Sequence, residues 1–407
     1  MRAYERLLKY VTYPTASAEG AGSTPSTPEQ FALAHALVEE LKALGAADAV
    51  CSETCYVYGQ LPASPGCEEA PAIGFIAHMD TSPDFSGQGV RPRVLPNYDG
   101  GDVELGGGRV LSVQDFPHLP ELAGRTLITA SGDSLLGADD KAGVAEIMTL
   151  LECLADRPHG KVAVCFTPDE EVGNGVLNFE KERFGASVAF TVDGGVEGEV
   201  SWENFNASAA KVEVRGFNVH PGSSKDTMIN AGLIACQFAA MLPGDQTPRQ
   251  SAGRQGFYHL TGVEGNVAKA KLGYILRDFD FAELQRREQA LRDAAAKLNA
   301  EYGEGTVQVT ITPGYRNMSE KMLPDYQWLV DLALKATREA GLTPMTDPVR
   351  GGTDGAVLSW RGLPCPNLGT GGHAFHGPYE HITAEGMDAC VQVLLGIVEE
   401  MRGRTGL

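Results

Sequence analysis

Imidazole and carboxylate side chains recur in this chain at the points where apolar runs end. His78 follows PAIGFIA, Asp139 lies in LLGADDKAG, Glu171 follows VAVCFTPDE, Asp193 follows VAFTV, and His376 lies in TGGHAFHG. Apolar runs of this length suggest parallel strands covered on both faces, and ligands of open α/β sheets gather beyond the carboxyl ends of the strands. The pattern reads as a metal site at a sheet edge.

Each motif also has a plainer reading. His78 and Asp80 share strand parity, so both point to one side of an extended segment and Asp80 can orient the imidazole; alone, the pair could equally cap a turn. Asp139 and Asp140 open a helix, where orphan N–H groups favour negative charge, but capping accounts for one carboxylate and not for two. Two divalent ions about 4 Å apart need a shared carboxylate to offset their repulsion, and either Asp could supply it. Glu170 and Glu171 repel each other unless a cation is near. Because successive side chains diverge, one can ligate metal while its neighbour handles a proton from activated water. Asp193 could simply end a strand before Gly194 and Gly195. His373, His376 and His381 lie close together, and residue chemistry does not choose among them. What favours metal is the coincidence of these groups at strand ends. No GxSxG elbow, Walker loop, HExxH helix or GxGxxG fingerprint competes.

The elements that must position these groups follow from hydrophobic spacing. Phe31, Ala34, Leu37, Val38 and Leu41 mark an amphipathic helix over 28–44, and Val144, Ile147, Met148, Leu151 and Leu154 a second. A strand ends at His78, a Gly- and Pro-rich excursion runs from 82 to 108, and KVAVCFT and SVAFTV supply two more strands. This alternation predicts an α/β fold with a largely parallel sheet and helices on both faces. From 207 the order becomes β-α-β-β-α-β (KVEVRG, TMINAGLIACQFAAML, GFYHLTGV, AKLGYILRDF, FAELQRREQALRDAAAKLNAEY, TVQVTIT), the ferredoxin-like split βαβ pattern. The expected organisation is a catalytic domain over 1–206, an inserted ferredoxin-like α+β domain over 207–315, and a return to the catalytic domain over 316–407. That return carries a helix over 326–340, a PCPNL strand, His376 and a closing helix over 383–402.

Length and composition bound the partners. A chain of 407 residues with 43% hydrophobic content can bury more than one core. With 33 basic against 53 acidic residues, a formal charge of −20 disfavours nucleic acid and anionic membrane surfaces. No secretory signal and no apolar run of membrane-spanning length is evident, and eight scattered cysteines suit a reduced, cytoplasmic setting. Cys51, Cys55 and Cys67 lack the CxxC pair and fourth ligand of a structural zinc site.

The runs AHMDTSPD, LLGADDKAG, FTPDEEVG, TVDGG, NVHPG, ILRDFD and RGGTDGAVLS together resemble the dizinc peptidase and deacylase family that includes carboxypeptidase G and aminoacylase, from the first helix to the last. ENFNA after TVDGG, with the NVHPG and RGGTDGA runs, is closest to its tripeptide-cleaving aminopeptidases. The resemblance implies a dizinc-exopeptidase-like sheet domain with the inserted domain as a lid, and two Zn2+ ions for which Co2+ or Mn2+ could substitute. His78 and Asp193 would hold one ion, Glu171 and His376 the other, with Asp139 bridging, Glu170 as general base and Asp80 orienting His78. The family pattern places the bridging acid two residues before the lysine and the last histidine four before a glutamate, which selects Asp139 and, with Glu380, His376. His220, otherwise a turn histidine before Pro221, would bind substrate or stabilise the oxyanion. Arg277, otherwise a strand-end partner of Asp278 or Asp280, would take the substrate's terminal carboxylate, and Arg350 would line the cleft or form an ion pair. A small peptide substrate and a homodimer are further implications. The AFHGPYEH run departs locally from the family pattern without removing a ligand.

Overall fold

Three of the apolar runs become neighbouring strands, which decides where the candidate ligands can meet. In the computed structural model of the chain, which describes residues 1–323 and 325–404, Ile73–His78 pairs in parallel with Val162–Thr167 on one side and with Val188–Gly194 on the other. Every residue of the first two strands is buried. Parallel neighbours present their carboxyl ends along one edge, so His78, the turn after Thr167 and Asp193 arrive there together.

The sheet has seven strands in the order Val50–Cys51, Val57–Leu61, Val162–Thr167, Ile73–His78, Val188–Gly194, Asn367–Gly369, Val200–Ser201. Its centre is parallel, and the antiparallel pairings lie toward its two sides, giving the mixed, largely parallel sheet expected. Ile76, Cys165 and Tyr58 pack with Phe184 and Leu358 from two short helices, while Phe75 and Phe190 stack on each other. Alternation along a strand puts these two sets on opposite faces.

The helix Ala138–Leu154 is buried almost all round rather than along one stripe. It packs on Ile73–His78 and Val188–Gly194 and is itself covered by the helices Ala3–Tyr10 and Ala384–Arg402. A helix apolar on every side has this destination. Gly143 lets it approach the sheet: a Cβ there would collide with the Val192 carbonyl oxygen and stand 2.5 Å from Asp140 Oδ1.

The excursion after residue 82 is not structureless. It contributes Arg93–Leu95 to a small antiparallel sheet ordered Gly372–His373, His381–Thr383, Leu127–Thr129, Arg93–Leu95. Strands of two or three residues show no periodicity, so only pairing across the chain reveals them.

The chain divides into two compact units, one comprising Met1–Trp202, Glu320–Asp347 and Thr353–Leu407, the other Glu203–Ser319 and Pro348–Gly352. The second unit holds an antiparallel sheet ordered Phe257–Gly265, Lys269–Asp278, Asn206–Arg215, Val307–Pro313, with helices Ala231–Ala240 and Phe281–Tyr302. Val212, Ile234, Phe238, Leu272, Leu276 and Leu291 are among the side chains of its own core. Among the described residues no helix is long and apolar enough to cross a membrane.

Candidate metal centre

His78 closes its strand with Nε2 3.1 Å from Asp139 Oδ1 and 3.4 Å from Asp193 Oδ1. Asp139 turns its other oxygen, Oδ2, to within 3.2 Å of His376 Nε2, and that nitrogen lies 3.0 Å from Glu171 Oε2. Two donor groups result, His78–Asp139–Asp193 and Asp139–Glu171–His376, and within each the ligand atoms lie within 4.8 Å of one another. Asp139 belongs to both.

The adjacent residues that sequence chemistry left as alternatives go elsewhere. Asp139 and Asp140 are joined by a cis peptide bond, and both have non-helical backbone angles, so the regular helix starts after them. Asp140 accepts from the His78 backbone N at 3.1 Å and from Gly143 N at 3.2 Å. His373 and His381 join His118 in a separate cluster.

A layer of acids holds the donors in place. His78 Nδ1 lies 3.0 Å from the Asp80 carbonyl oxygen and 3.4 Å from Asp80 Oδ1, which holds a proton on Nδ1 and makes Nε2, turned to Asp139 and Asp193, the nitrogen available to a metal. The Asp80 carboxylate also accepts from Glu170 N at 3.0 Å and Glu171 N at 3.2 Å, tying the His78 strand end to the Glu170 turn. That turn starts at Asp169, whose φ of 58° is left-handed and costly for a non-glycine residue. Ser26 N, Ser26 Oγ and Gln30 Nε2 donate to the Asp169 carboxylate at 2.7, 2.5 and 2.8 Å and hold it there. Glu380, fully buried, accepts from Leu136 N, Gly137 N and Asp139 N at 2.7 to 2.9 Å. It clamps the loop that aims Asp139.

Sequence reasoning used Glu380 only as a family marker and did not assign Asp84, Asp169 or Asp354. Asp84 Oδ2 lies 3.3 Å from His376 Nδ1, and Asp354 accepts from Thr167 Oγ1 at 2.8 Å. Each contact joins positions far apart in the chain, so local pattern carried no signal of it.

The electrostatics show what the pocket selects. Hydrogen bonds to Asp139 and Glu171 push His376 up to about 11. Burial opposes protonation of His78, yet Asp193 and Asp139 carry it well above the ordinary histidine value. Burial raises Asp193 to about 6 and both Asp354 and Glu380 to about 7. Burial, then Asp193 and Asp354, also lift Glu170 well above the usual carboxylate range. The cluster thus draws positive charge to itself. Glu171 Oε1 is buried with no hydrogen-bond partner among the described residues, a costly state for a carboxylate oxygen unless a cation takes it. Donor chemistry and spacing fit a pair of divalent ions sharing Asp139.

On the second unit, His220 is exposed and accepts from Gly222 N through Nδ1 at 3.1 Å, leaving its proton on Nε2 without an acceptor among the described residues. Arg277 donates to the Leu276 carbonyl at 3.0 Å and lies 5.1 Å from the Tyr315 ring centroid. The acids flanking it are otherwise engaged: Asp278 pairs with Arg287 at 2.9 Å, and Asp280 caps the helix Phe281–Tyr302. Arg350 donates to Gln255 O at 3.1 Å and Ser251 Oγ at 2.8 Å and lies over Phe205. All eight cysteines are free, and none joins a candidate metal group among the described residues.

Residues 136–400 match the model of peptidase family M20/M25/M40. Peptidase T of Alkaliphilus oremlandii is 50% identical over 401 residues, covering 97% of this chain and 98% of that protein. Among solved structures, a tripeptidase from Staphylococcus aureus superposes with a TM-score of 0.79 at 20% identity, covering 99% of this chain and 98% of its own. A dinuclear metal binding peptidase of the M20 family from Bacillus subtilis gives a TM-score of 0.60 at 15% identity, covering 97% and 96%.

Proposed function

The chain belongs to peptidase family M20/M25/M40, and we propose that this metallopeptidase removes the N-terminal residue from tripeptides. The observation that carries the reading is Asp139 shared between two three-residue donor groups, with Glu170 next in sequence to the donor Glu171. His78 and Asp193 are assigned to one ion and Glu171 and His376 to the other, with zinc as the metal and cobalt or manganese as substitutes. When bound, such a pair supplies Lewis acidity, lowering the pKa of water and polarising a carbonyl.

The chain's own groups do the rest. Glu170 accepts a proton from water at its carboxylate and returns it to the leaving amine, a task for which a raised pKa suits it. Asp80 fixes the His78 tautomer and holds the turn that carries Glu170. The His220 Nε2–H is assigned to the substrate carbonyl oxygen, and the Arg277 fork to the substrate carboxylate. Recognition of a carboxylate at a set distance from the reacting carbonyl measures substrate length, which is the physical basis for a tripeptide preference. The inserted domain over 207–315, its lid role, a homodimer and a cytoplasmic location belong to the same reading.

Steady-state rates on matched di-, tri- and tetrapeptides and an N-acetylated amino acid test it. The tripeptide should have the highest kcat/KM. Preference for the dipeptide or the acetylated compound would make the enzyme a dipeptidase or deacylase of the same family instead.

A further inference from the structure

We propose that Cys51 and Cys55 form a redox switch, a dithiol that hydrogen peroxide closes to a disulfide, loosening the turn that carries Glu170.

The two residues bracket one tight turn. Cys51 pairs with Val57 in the short antiparallel ladder at one edge of the seven-stranded sheet. Beyond that pair the chain folds back at once: Ser52 N donates to Tyr56 O at 2.8 Å, Tyr56 N to Ser52 Oγ at 3.0 Å, and Cys55 N to Ser52 O at 3.0 Å. Cys55 turns the corner with a φ of 69°, left-handed and costly for a residue with a Cβ. The thiols meet there. Cys55 donates its S–H to Cys51, whose own Sγ lies 3.5 Å from Ser52 O.

The pair is asymmetric in the way that thiol oxidation requires. Cys51 is half-buried and within reach of a small oxidant, whereas Cys55 is fully buried. The hydrogen bond from Cys55 holds Cys51 below the ordinary thiol value, and the same bond, with burial, lifts Cys55 far above it. A thiolate is the form that attacks peroxide, and a neighbouring thiol resolves the product. The Cys51 thiolate takes one peroxide oxygen, the O–O bond breaks, and the released hydroxide becomes water with the proton that Cys51 gave up. Cys55 sulfur then attacks the Cys51 sulfenic acid; the S–S bond forms, the S–O bond breaks, and hydroxide leaves as water with the Cys55 proton. Two thiols lose two electrons, and one peroxide becomes two waters.

Position couples this chemistry to the metal centre. Cys55 lies close enough to Asp169 and Asp80 for both charges to act on it. Those carboxylates hold the Glu170 turn, Asp80 by accepting from Glu170 N and Glu171 N and Asp169 by standing at its start. Drawing two sulfurs from hydrogen-bonded contact into a covalent bond pulls Cys55 off its corner. A fully buried side chain in a close-packed interior passes such a shift to its neighbours.

The full-length, zinc-loaded enzyme is treated with hydrogen peroxide and then with a phosphine reductant. Peptide mapping with cleavage after Tyr58 separates Cys51 and Cys55 from Cys67, and the peptides holding the pair should become lighter by two hydrogens. The Glu170 and Glu171 amides should exchange hydrogen faster, and kcat should fall by about 10-fold or more, as small misplacements of a catalytic group cost; the reductant should reverse all three changes. Cys51→Ser should match the untreated wild type and respond to peroxide in neither exchange nor kcat, while Cys236→Ser, which removes the exposed cysteine of the second unit, should respond as wild type does. Wild-type thiols that stay unjoined overturn the proposal, as does a disulfide that leaves exchange at the Glu170 turn unchanged, or a Cys51→Ser chain that peroxide inactivates like the wild type. The kcat arm rests on the peptidase reading, whereas the mass and exchange arms do not. A chain that cleaves no tripeptide before oxidation would sink that reading alone, and exchange would still decide the switch.

Discussion

Glu170 and Glu171 are neighbours of the same type, yet their surroundings separate them. Glu171 Oε2 lies 3.0 Å from His376, whereas Glu170 belongs to neither donor group and is raised by burial, Asp193 and Asp354. Glu170→Gln should therefore lower kcat on a tripeptide by about 10²- to 10⁴-fold, the usual worth of general base catalysis, while zinc content stays at the wild-type level. Unchanged turnover, or loss of metal, would remove Glu170 from this role. The sequence could state that one of the two binds and the other moves a proton, because divergence of adjacent side chains is local. Which residue does which depends on His376, about two hundred residues away, and came only from family pattern until the distances were known.

Element scale is where long-range clamps act. Glu380 takes three backbone N–H groups from the loop that aims Asp139. In Glu380→Gln an amide N–H2 must face donors that need an acceptor. The expected result is zinc bound about 10- to 100-fold more weakly, as for other residues that support ligands, measured by competition with a chromophoric chelator; wild-type affinity would show the clamp to be idle. Gly143 sets the approach of the helix Ala138–Leu154 to the Val188–Gly194 strand. Gly143→Ala should cost about 1–3 kcal/mol by overpacking, read as a lower urea midpoint, and an unchanged midpoint would mean that the helix shifts freely. The long strands and helices were legible because each carries its own period. The small sheet with His373 and His381 was not, since strands of two or three residues show no alternation, and the Gly- and Pro-rich excursion hides its fourth strand, Arg93–Leu95.

At the scale of the whole molecule, every candidate ligand lies in the first unit, while the second has its own core around Val212, Phe238, Leu272 and Leu291. Metal binding to the folded state alone stabilises by RT ln(1 + [L]/Kd), about 2.7 kcal/mol at a free concentration one hundred times Kd. For a unit of this size that corresponds to a fall of roughly 4–5 °C in Tm on chelation. Scanning calorimetry of the intact chain, with zinc and after exhaustive chelation, should show a transition of the first unit that moves by this amount and a transition of the second that does not. Peptidase activity should vanish on chelation and return with zinc. A single transition that shifts as a whole would mean that the two units unfold together. Two transitions that both stay in place would mean that the acids and imidazoles around Asp139 hold no ion strongly enough to matter to the fold.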